Sequence, residues 1–219
     1  MNKAVYIEAG SEPAPKKRRG RPPKHLVGTN ETRRDLVRAG VVSLTEKGFA
    51  STGLDEVLKK VGVPKGSFYH YFESKEAFGL TLIQEYDEFF VRRLDRIFLD
   101  GSLSPLERLH RFFKESRDGM ARYDFNRGCL IGNLGQEMSV LPTSYRQRLI
   151  DVFTGWESRL ANCLREAQDA GEVPGSIDCK AMAEAFWIGW EGAVLRAKLE
   201  RNARPLDRFA EAFLTLIRV

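Results

Sequence analysis

The sequence predicts an all-α protein in which an N-terminal three-helix helix-turn-helix head is joined to a larger helical body. Three observations lead there. Apolar residues recur at helical spacing from about Thr29 onward, and no stretch shows the period-two alternation of a strand. In addition, two short helical segments lie on either side of Gly62-Val63-Pro64, the close spacing that a helix-turn-helix requires.

The first helix carries Val37, Gly40, Val41 and Leu44 at i, i+3, i+4 and i+7. Thr29 or Asn30 can cap its start, and Lys47-Gly48 supplies a positive last turn and a stop. The second runs from about Leu54 to Val61, with Leu54, Val57, Leu58 and Val61 on one face. Gly62 can adopt the left-handed conformation that ends a helix, and Pro64 cannot continue the hydrogen-bond ladder. The third runs from about Lys65 to Tyr71. Phe68 and Phe72 at i, i+4 can bury, which leaves Lys65, Ser67, Tyr69, His70 and Tyr71 outward, a donor-rich set with no acid before Glu73. A long helix starts at Ser74 and ends at Asp100-Gly101, and further helices are expected over 104–123, 127–139, 143–170, 178–202 and 205–218. The chain thus divides into an arm over 1–28, a DNA-binding head over 29–73 and a body over 74–219.

Composition limits the function. Of 219 residues 42% are hydrophobic and 30% charged, and no apolar run approaches the roughly 18 residues of a membrane span. No signal-peptide pattern is visible, so a cytoplasmic protein is expected. The three cysteines, Cys129, Cys163 and Cys179, are odd in number and widely spaced, which argues against a disulfide framework or a zinc cluster. His70 has no carboxylate at ligand spacing, so neither metal, cofactor nor catalytic residue is expected.

The charge is uneven. Residues 1–73 hold 14 Lys/Arg against 8 Asp/Glu, whereas residues 74–219 hold 21 against 22. Lys16, Lys17, Arg18, Arg19, Arg21 and Lys24 place six cations in nine residues, a block that remains extended until a polyanion neutralises it. Arg19-Gly20-Arg21-Pro22 resembles the core of an AT-hook, in which arginines follow a narrow minor groove, so Arg19 and Arg21 are candidate DNA contacts.

Gly48-Phe49-Ala50-Ser51-Thr52-Gly53, then Gly62-Val63-Pro64-Lys65-Gly66-Ser67-Phe68-Tyr69-His70-Tyr71-Phe72, then Ser74-Lys75-Glu76-Ala77-Phe78 together resemble the DNA-binding domain of the TetR family of repressors. Gly53 and Leu54 depart from it slightly. The resemblance implies that Thr52 grips a phosphate, that Lys65, Ser67, Tyr69 and His70 contact bases or backbone, and that Tyr71 and Lys75 meet flanking phosphates. Phe49, Val57 and Phe72 are expected in the core.

The last two helices carry wide apolar faces: Ala185, Phe186, Gly189, Gly192, Ala193 and Arg196 on one, and Leu206, Phe209, Ala210, Phe213, Leu214 and Ile217 on the other. Two such helices from each of two subunits would make a four-helix interface, and a homodimer can read a palindromic double-stranded operator. For a small-molecule effector, Trp187, Trp190, Glu191, Val194 and Lys198 form a stripe whose indole N–H groups and charges need partners. Cys129, Asn133 and Glu137 follow at i, i+4 and i+8 among the glycines 128, 132 and 135. The Gly-Cys-Leu-Ile-Gly-Asn run resembles TetR repressors that sense acrylate, electrophiles and unsaturated carbonyl compounds. That resemblance implies a carboxylate effector pairing with Lys198 or an arginine, and a Cys129 thiol that a nearby cation would activate. The alternatives are a DNA-binding activator or architectural protein without small-molecule control, and an enzyme with Cys129 as nucleophile, for which no second catalytic element is visible.

Overall fold

The computed structural model describes residues 26–218, all of whose regular elements are helices. The basic arm, with Arg19 and Arg21, lies outside the described residues. In chain order the helices are α1 (Leu26–Lys47), α2 (Leu54–Val61), α3 (Lys65–Phe68), α4 (Lys75–Phe98), α5 (Pro105–Ala121), α6 (Leu130–Gln136), α7 (Ser144–Asp169), α8 (Cys179–Glu200) and α9 (Arg204–Leu216). Helices α1–α3 form the head, α4 runs from head to body, and α5–α9 complete the body.

Boundaries differ from expectation in three places. α1 begins at Leu26, ahead of Thr29, so its first turn takes in residues assigned to the arm. α3 is a single turn ending at Phe68, and residues to Phe72 follow as turns, with Phe72 N–H donating to Phe68 O at 3.1 Å. α6 is shorter than 127–139. The chain before it takes positive φ at Asp124 and Phe125, and Gly128 N–H donates to Thr45 O of α1 at 3.1 Å.

Side-chain volume sets how the head meets the body. A Cβ on Gly40 would lie 2.7 Å from the Phe78 ring and 2.8 Å from Leu82, so α1 crosses α4 closely because Gly40 has none. Phe68, Phe72 and Phe78 pack as one aromatic cluster beneath α3, with ring centroids 4.6–5.4 Å apart. α4 is held at its start by Ser74, whose side chain accepts from Ala77 N–H at 3.0 Å. In the body, Phe90, Phe112, Trp156, Phe186, Trp187 and Trp190 form a continuous buried aromatic core.

The expected interface faces need correction. Phe186, Ala193, Leu206, Phe213 and Ile217 are buried within the subunit, and a Cβ on Gly189 would stand 2.2 Å from the Phe209 ring, so these residues pack α8 against α9. Ala185 and Gly192 of the expected face stay exposed, and with Ile188, Leu195 and Leu199 they form the exposed side of α8, with Ile188 at 77% and Leu199 at 74% exposure. Leu216 of α9 is likewise exposed.

Candidate functional sites: the helix-turn-helix and the body cavity

The turn between α2 and α3 forms as its residues dictate. Gly62 sits at φ 70°, and Val63 N–H donates to Leu58 O at 3.0 Å, closing α2. Asp55 and Glu56 lie in the first turn of α2 and Lys59 and Lys60 in its last, matching the helix dipole. Phe68 and Phe72 are buried, as their spacing implies, which turns Lys65, Tyr69 and His70 to solvent. Tyr69 is 57% exposed. Ser67 and Tyr71 are half-buried at the edge of this surface. Lys65 Nζ lies 3.1 Å from Asp55 in an exposed ion pair, a weak contact that phosphate can displace. Lys75 is exposed with its ammonium 4.4 Å from the centroid of the Phe49 ring.

Thr52 is a different case. It is 4% exposed, and its hydroxyl donates to Gly48 O at 2.6 Å. A phosphate oxygen needs a donor, and this proton is already committed within the turn. The Thr52 side chain therefore fixes the α1–α2 connection, while Lys65, Tyr69, His70 and Lys75 remain accessible.

The body holds a cavity of about 1010 Å³ between α1, α4, α5 and α8, with Cys129 at its floor. Of the stripe on α8, Trp187, Trp190, Glu191 and Val194 line it. From α4 come Tyr86, Phe90 and Arg93, none of which the sequence singles out as an effector residue. Cys129 caps α6, its sulfur accepting Gly132 N–H at 3.5 Å. A Cβ on Gly132 would stand 1.9 Å from a Glu191 carboxylate oxygen, so the glycine is what lets that carboxylate reach the cap.

The electrostatics of this floor follow from burial. Loss of water pushes the Glu191 carboxyl up to about 7, the Cys129 thiol hydrogen bond moderating the rise. Burial, reinforced by Glu191, holds the Cys129 thiol well above the usual thiol range, and no cation among the described residues lowers it as the resemblance implied. The Tyr86 hydroxyl is pushed up for the same reasons, with burial foremost. Arg93 is engaged elsewhere: it donates to Ser116 Oγ at 2.9 Å and lies 3.7 Å from Glu115. Trp187 is 1% exposed, and its Nε1–H lies buried with no hydrogen-bond partner among the described residues.

Asn133, Glu137 and Lys198 are not in the cavity. Asn133 and Lys198 hold the C-terminal end of α1, and Glu137 holds the connection that follows it. The Asn133 amide donates to Leu44 O at 2.9 Å and Thr45 O at 3.1 Å. The Lys198 ammonium donates to Thr45 O at 3.2 Å and Glu46 O at 2.8 Å, so it caps a helix end instead of meeting an effector carboxylate. The Glu137 carboxylate accepts the N–H groups of Phe49 and Ala50 at 2.8 and 3.0 Å. Gly48, at φ 81°, leaves room for it, since a Cβ there would lie 2.0 Å from a Glu137 oxygen. Helix α6 thus touches the cavity through Cys129 at one end and the head through Glu137 at the other.

A helix-turn-helix carried on a cavity-bearing helical body defines a DNA-binding transcriptional regulator. Residues 36–79 match the bacterial regulatory proteins of the tetR family, and residues 105–213 match the tetracyclin repressor-like C-terminal domain. The chain is 54% identical over 198 residues to the transcriptional regulator AcuR of Cereibacter sphaeroides, covering 90% of each. It is 36% identical to the HTH-type transcriptional repressor DhaR of Mycobacterium sp., covering 81% of this chain and 87% of that one. The crystal structure of regulatory protein TetR from Rhodobacter sphaeroides matches with a TM-score of 0.83 at 55% identity, over 84% of this chain and 97% of that. The protein belongs to the TetR family. It is a transcriptional repressor of that family, related to AcuR, and not an enzyme. Among the described residues no helix is long and apolar enough to cross a membrane.

Proposed function

We propose that the protein is a homodimeric cytoplasmic repressor that holds a palindromic operator and releases it when a small effector enters the body cavity. Acrylate and related unsaturated carboxylates or electrophiles are the effectors favoured by its likeness to AcuR. The observation that carries this reading is the continuity from cavity to head. One short helix, α6, meets Glu191 at Gly132 and grips the α1–α2 connection through Glu137.

Lys65, Ser67, Tyr69 and His70 supply the contacts to bases and backbone, and Tyr71 and Lys75 the contacts to flanking phosphates. Arg19 and Arg21 reach the adjacent minor groove. One head spans too few base pairs for specificity, and the exposed apolar stripe of α8 supports pairing of two subunits. Two recognition helices must then sit about 34–36 Å apart. An effector that favours a different seating of α6 changes that distance, and release is a population shift set by its differential affinity for the two states.

The test is an electrophoretic shift on the DNA upstream of the protein's own coding sequence, titrated with acrylate. Retardation by a dimer, reversed by acrylate but not by acetate, is expected. Retardation that no carbonyl or carboxyl compound reverses refutes the effector reading.

A further inference from the structure

Charge is distributed unevenly between the floor and the rim of the body cavity. At the floor, Cys129, Trp187 and Trp190 are buried beside Glu191. The rim is cationic. Six arginines line the cavity, of which Arg34, Arg38, Arg92 and Arg122 are exposed and Arg93 and Arg127 half-buried.

These arginines differ in how firmly they are held. Arg127 lies 3.0 Å from Glu46, and its guanidinium stands 3.9 Å from the centroid of the Tyr123 ring. Arg93 donates to Ser116 and shares the Glu115 carboxylate with Arg96 and Arg111. Arg38 and Arg92 have only loose, solvated partners on their own helices, Asp35 at 3.6 Å and Glu88 at 3.9 Å. Arg34 and Arg122 make no ion pair among the described residues. Against these four exposed guanidinium groups the rim offers two exposed acids, Glu85 and Asp118, and Asp118 already faces Lys114 at 3.1 Å and Arg117 at 3.5 Å. A positive surplus therefore remains at the entrance.

The exposed arginines come from both sides of the boundary between head and body. Arg34 and Arg38 lie one turn apart on α1, Arg92 is on α4, and Arg122 directly follows α5. A carboxylate brings one charge and suits one guanidinium, whereas a phosphate ester brings nearly two charges at pH 7 and three acceptor oxygens, enough to engage several arginines at once. The cavity behind them, about 1010 Å³, stands at the upper end of the roughly 300–1,000 Å³ that suits a drug-sized ligand. Phe89, 59% exposed, and Tyr123, 44% exposed, add apolar surface at the same entrance.

We infer that the rim is an anion subsite and that the cavity takes a phosphate-bearing amphiphile, its apolar chain directed toward Trp190 and its phosphate between Arg34 and Arg38 of the head and Arg92 and Arg122 of the body. This rests on the cavity being the effector site. It names the class of effector and makes the bound phosphate a bridge between head and body.

The test is calorimetric titration of the operator-free protein with three compounds of one chain length: octyl phosphate, octanoate and octanol. The phosphate should bind at least about tenfold more tightly than the acid, and the acid more tightly than the alcohol. Raising the salt should weaken octyl phosphate and leave octanol nearly unchanged. Arg34→Gln combined with Arg122→Gln removes two exposed charges outside the core and should weaken octyl phosphate about tenfold, while octanol, which reads the apolar interior, keeps its wild-type affinity. Arg38→Gln combined with Arg92→Gln should act in the same direction. Equal affinity for the three compounds, binding of none, or octyl phosphate affinity untouched in both double variants would overturn the inference. Octanoyl-coenzyme A and an octanoyl lysophosphatidic acid then separate a phosphorylated carrier from a lipid headgroup: binding of either one, weakened in the double variants, supports the inference, and failure of both overturns it. Release of the operator by acrylate from a protein that binds none of these phosphates overturns the inference and leaves the proposed function standing. Phosphate binding that follows these rules but leaves operator affinity unchanged upholds the subsite and sinks the release mechanism instead.

Discussion

The carboxylate of Glu137, at the end of α6, accepts the backbone N–H of Phe49 at 2.8 Å across the boundary between body and head. These residues are separated by 88 positions in the chain, and the contact ties the connection before α2 to the element that floors the cavity. A side chain that binds two adjacent N–H groups fixes a direction as well as a distance.

Removing this carboxylate should loosen the head without emptying the core. For Glu137→Ala the cost is about 1–3 kcal/mol, since two charge-assisted hydrogen bonds are lost at a half-exposed site. Amide hydrogen exchange should rise over residues 48–53 while protection within α7 and α8 persists. Operator affinity should fall, and the remaining binding should respond less to effector.

Gly132→Ala probes the other end of α6. The added Cβ would occupy the place of a Glu191 oxygen, so the carboxylate must swing away from Cys129. Overpacking of this kind costs about 1–3 kcal/mol. Thermal unfolding should record that loss, operator binding should remain near the wild type, and the effector concentration for half-release should rise at least tenfold.

Glu191 also makes stability depend on pH. Its carboxyl titrates near 7 in the folded protein against an ordinary 4.5, so the folded state binds this proton more tightly than the unfolded chain. The corresponding stability is fully present below about pH 4.5 and is lost as pH rises through 7, on the order of 3 kcal/mol. Denaturant midpoints compared between pH 5 and pH 8 should show the wild type losing more stability than Glu191→Gln over that window.

The subunit interface is tested on the exposed side of α8. Ile188→Glu combined with Leu199→Glu places charges on a stripe that contributes nothing to the internal core. Sedimentation should report monomers with native helical content, and operator affinity should fall to that for random duplex. A double variant that still sediments as a dimer would place the interface elsewhere.

Much of the head was legible because its signals are local. Gly62 and Pro64 determine a turn whatever surrounds them, and Phe68 with Phe72 can bury only by exposing Tyr69 and His70. The cavity was half legible: Cys129, Trp187, Trp190 and Glu191 line it, but nothing local marks Tyr86 and Arg93 of α4 as facing the same space. Asn133, Glu137 and Lys198 share faces with true lining residues, yet Asn133 and Lys198 bind the α1 backbone and Glu137 that of the α1–α2 connection. Periodicity assigns a residue to a face and does not say which partner comes to it. The usable signal for Glu137 was Gly48, whose positive φ and missing Cβ open the space that the carboxylate fills. Thr52 misled for a related reason, since a hydroxyl suited to phosphate is equally suited to Gly48 O.

The most direct test is the affinity of the purified protein for its upstream palindrome against shuffled duplex at moderate salt, measured by fluorescence anisotropy for the wild type and for Tyr69→Ala with His70→Ala. The account predicts one dimer per palindrome, preference for it of at least about a thousandfold, and loss of most of that preference in the double variant. Equal affinity for both duplexes, or a preference untouched by removing Tyr69 and His70, would contradict it.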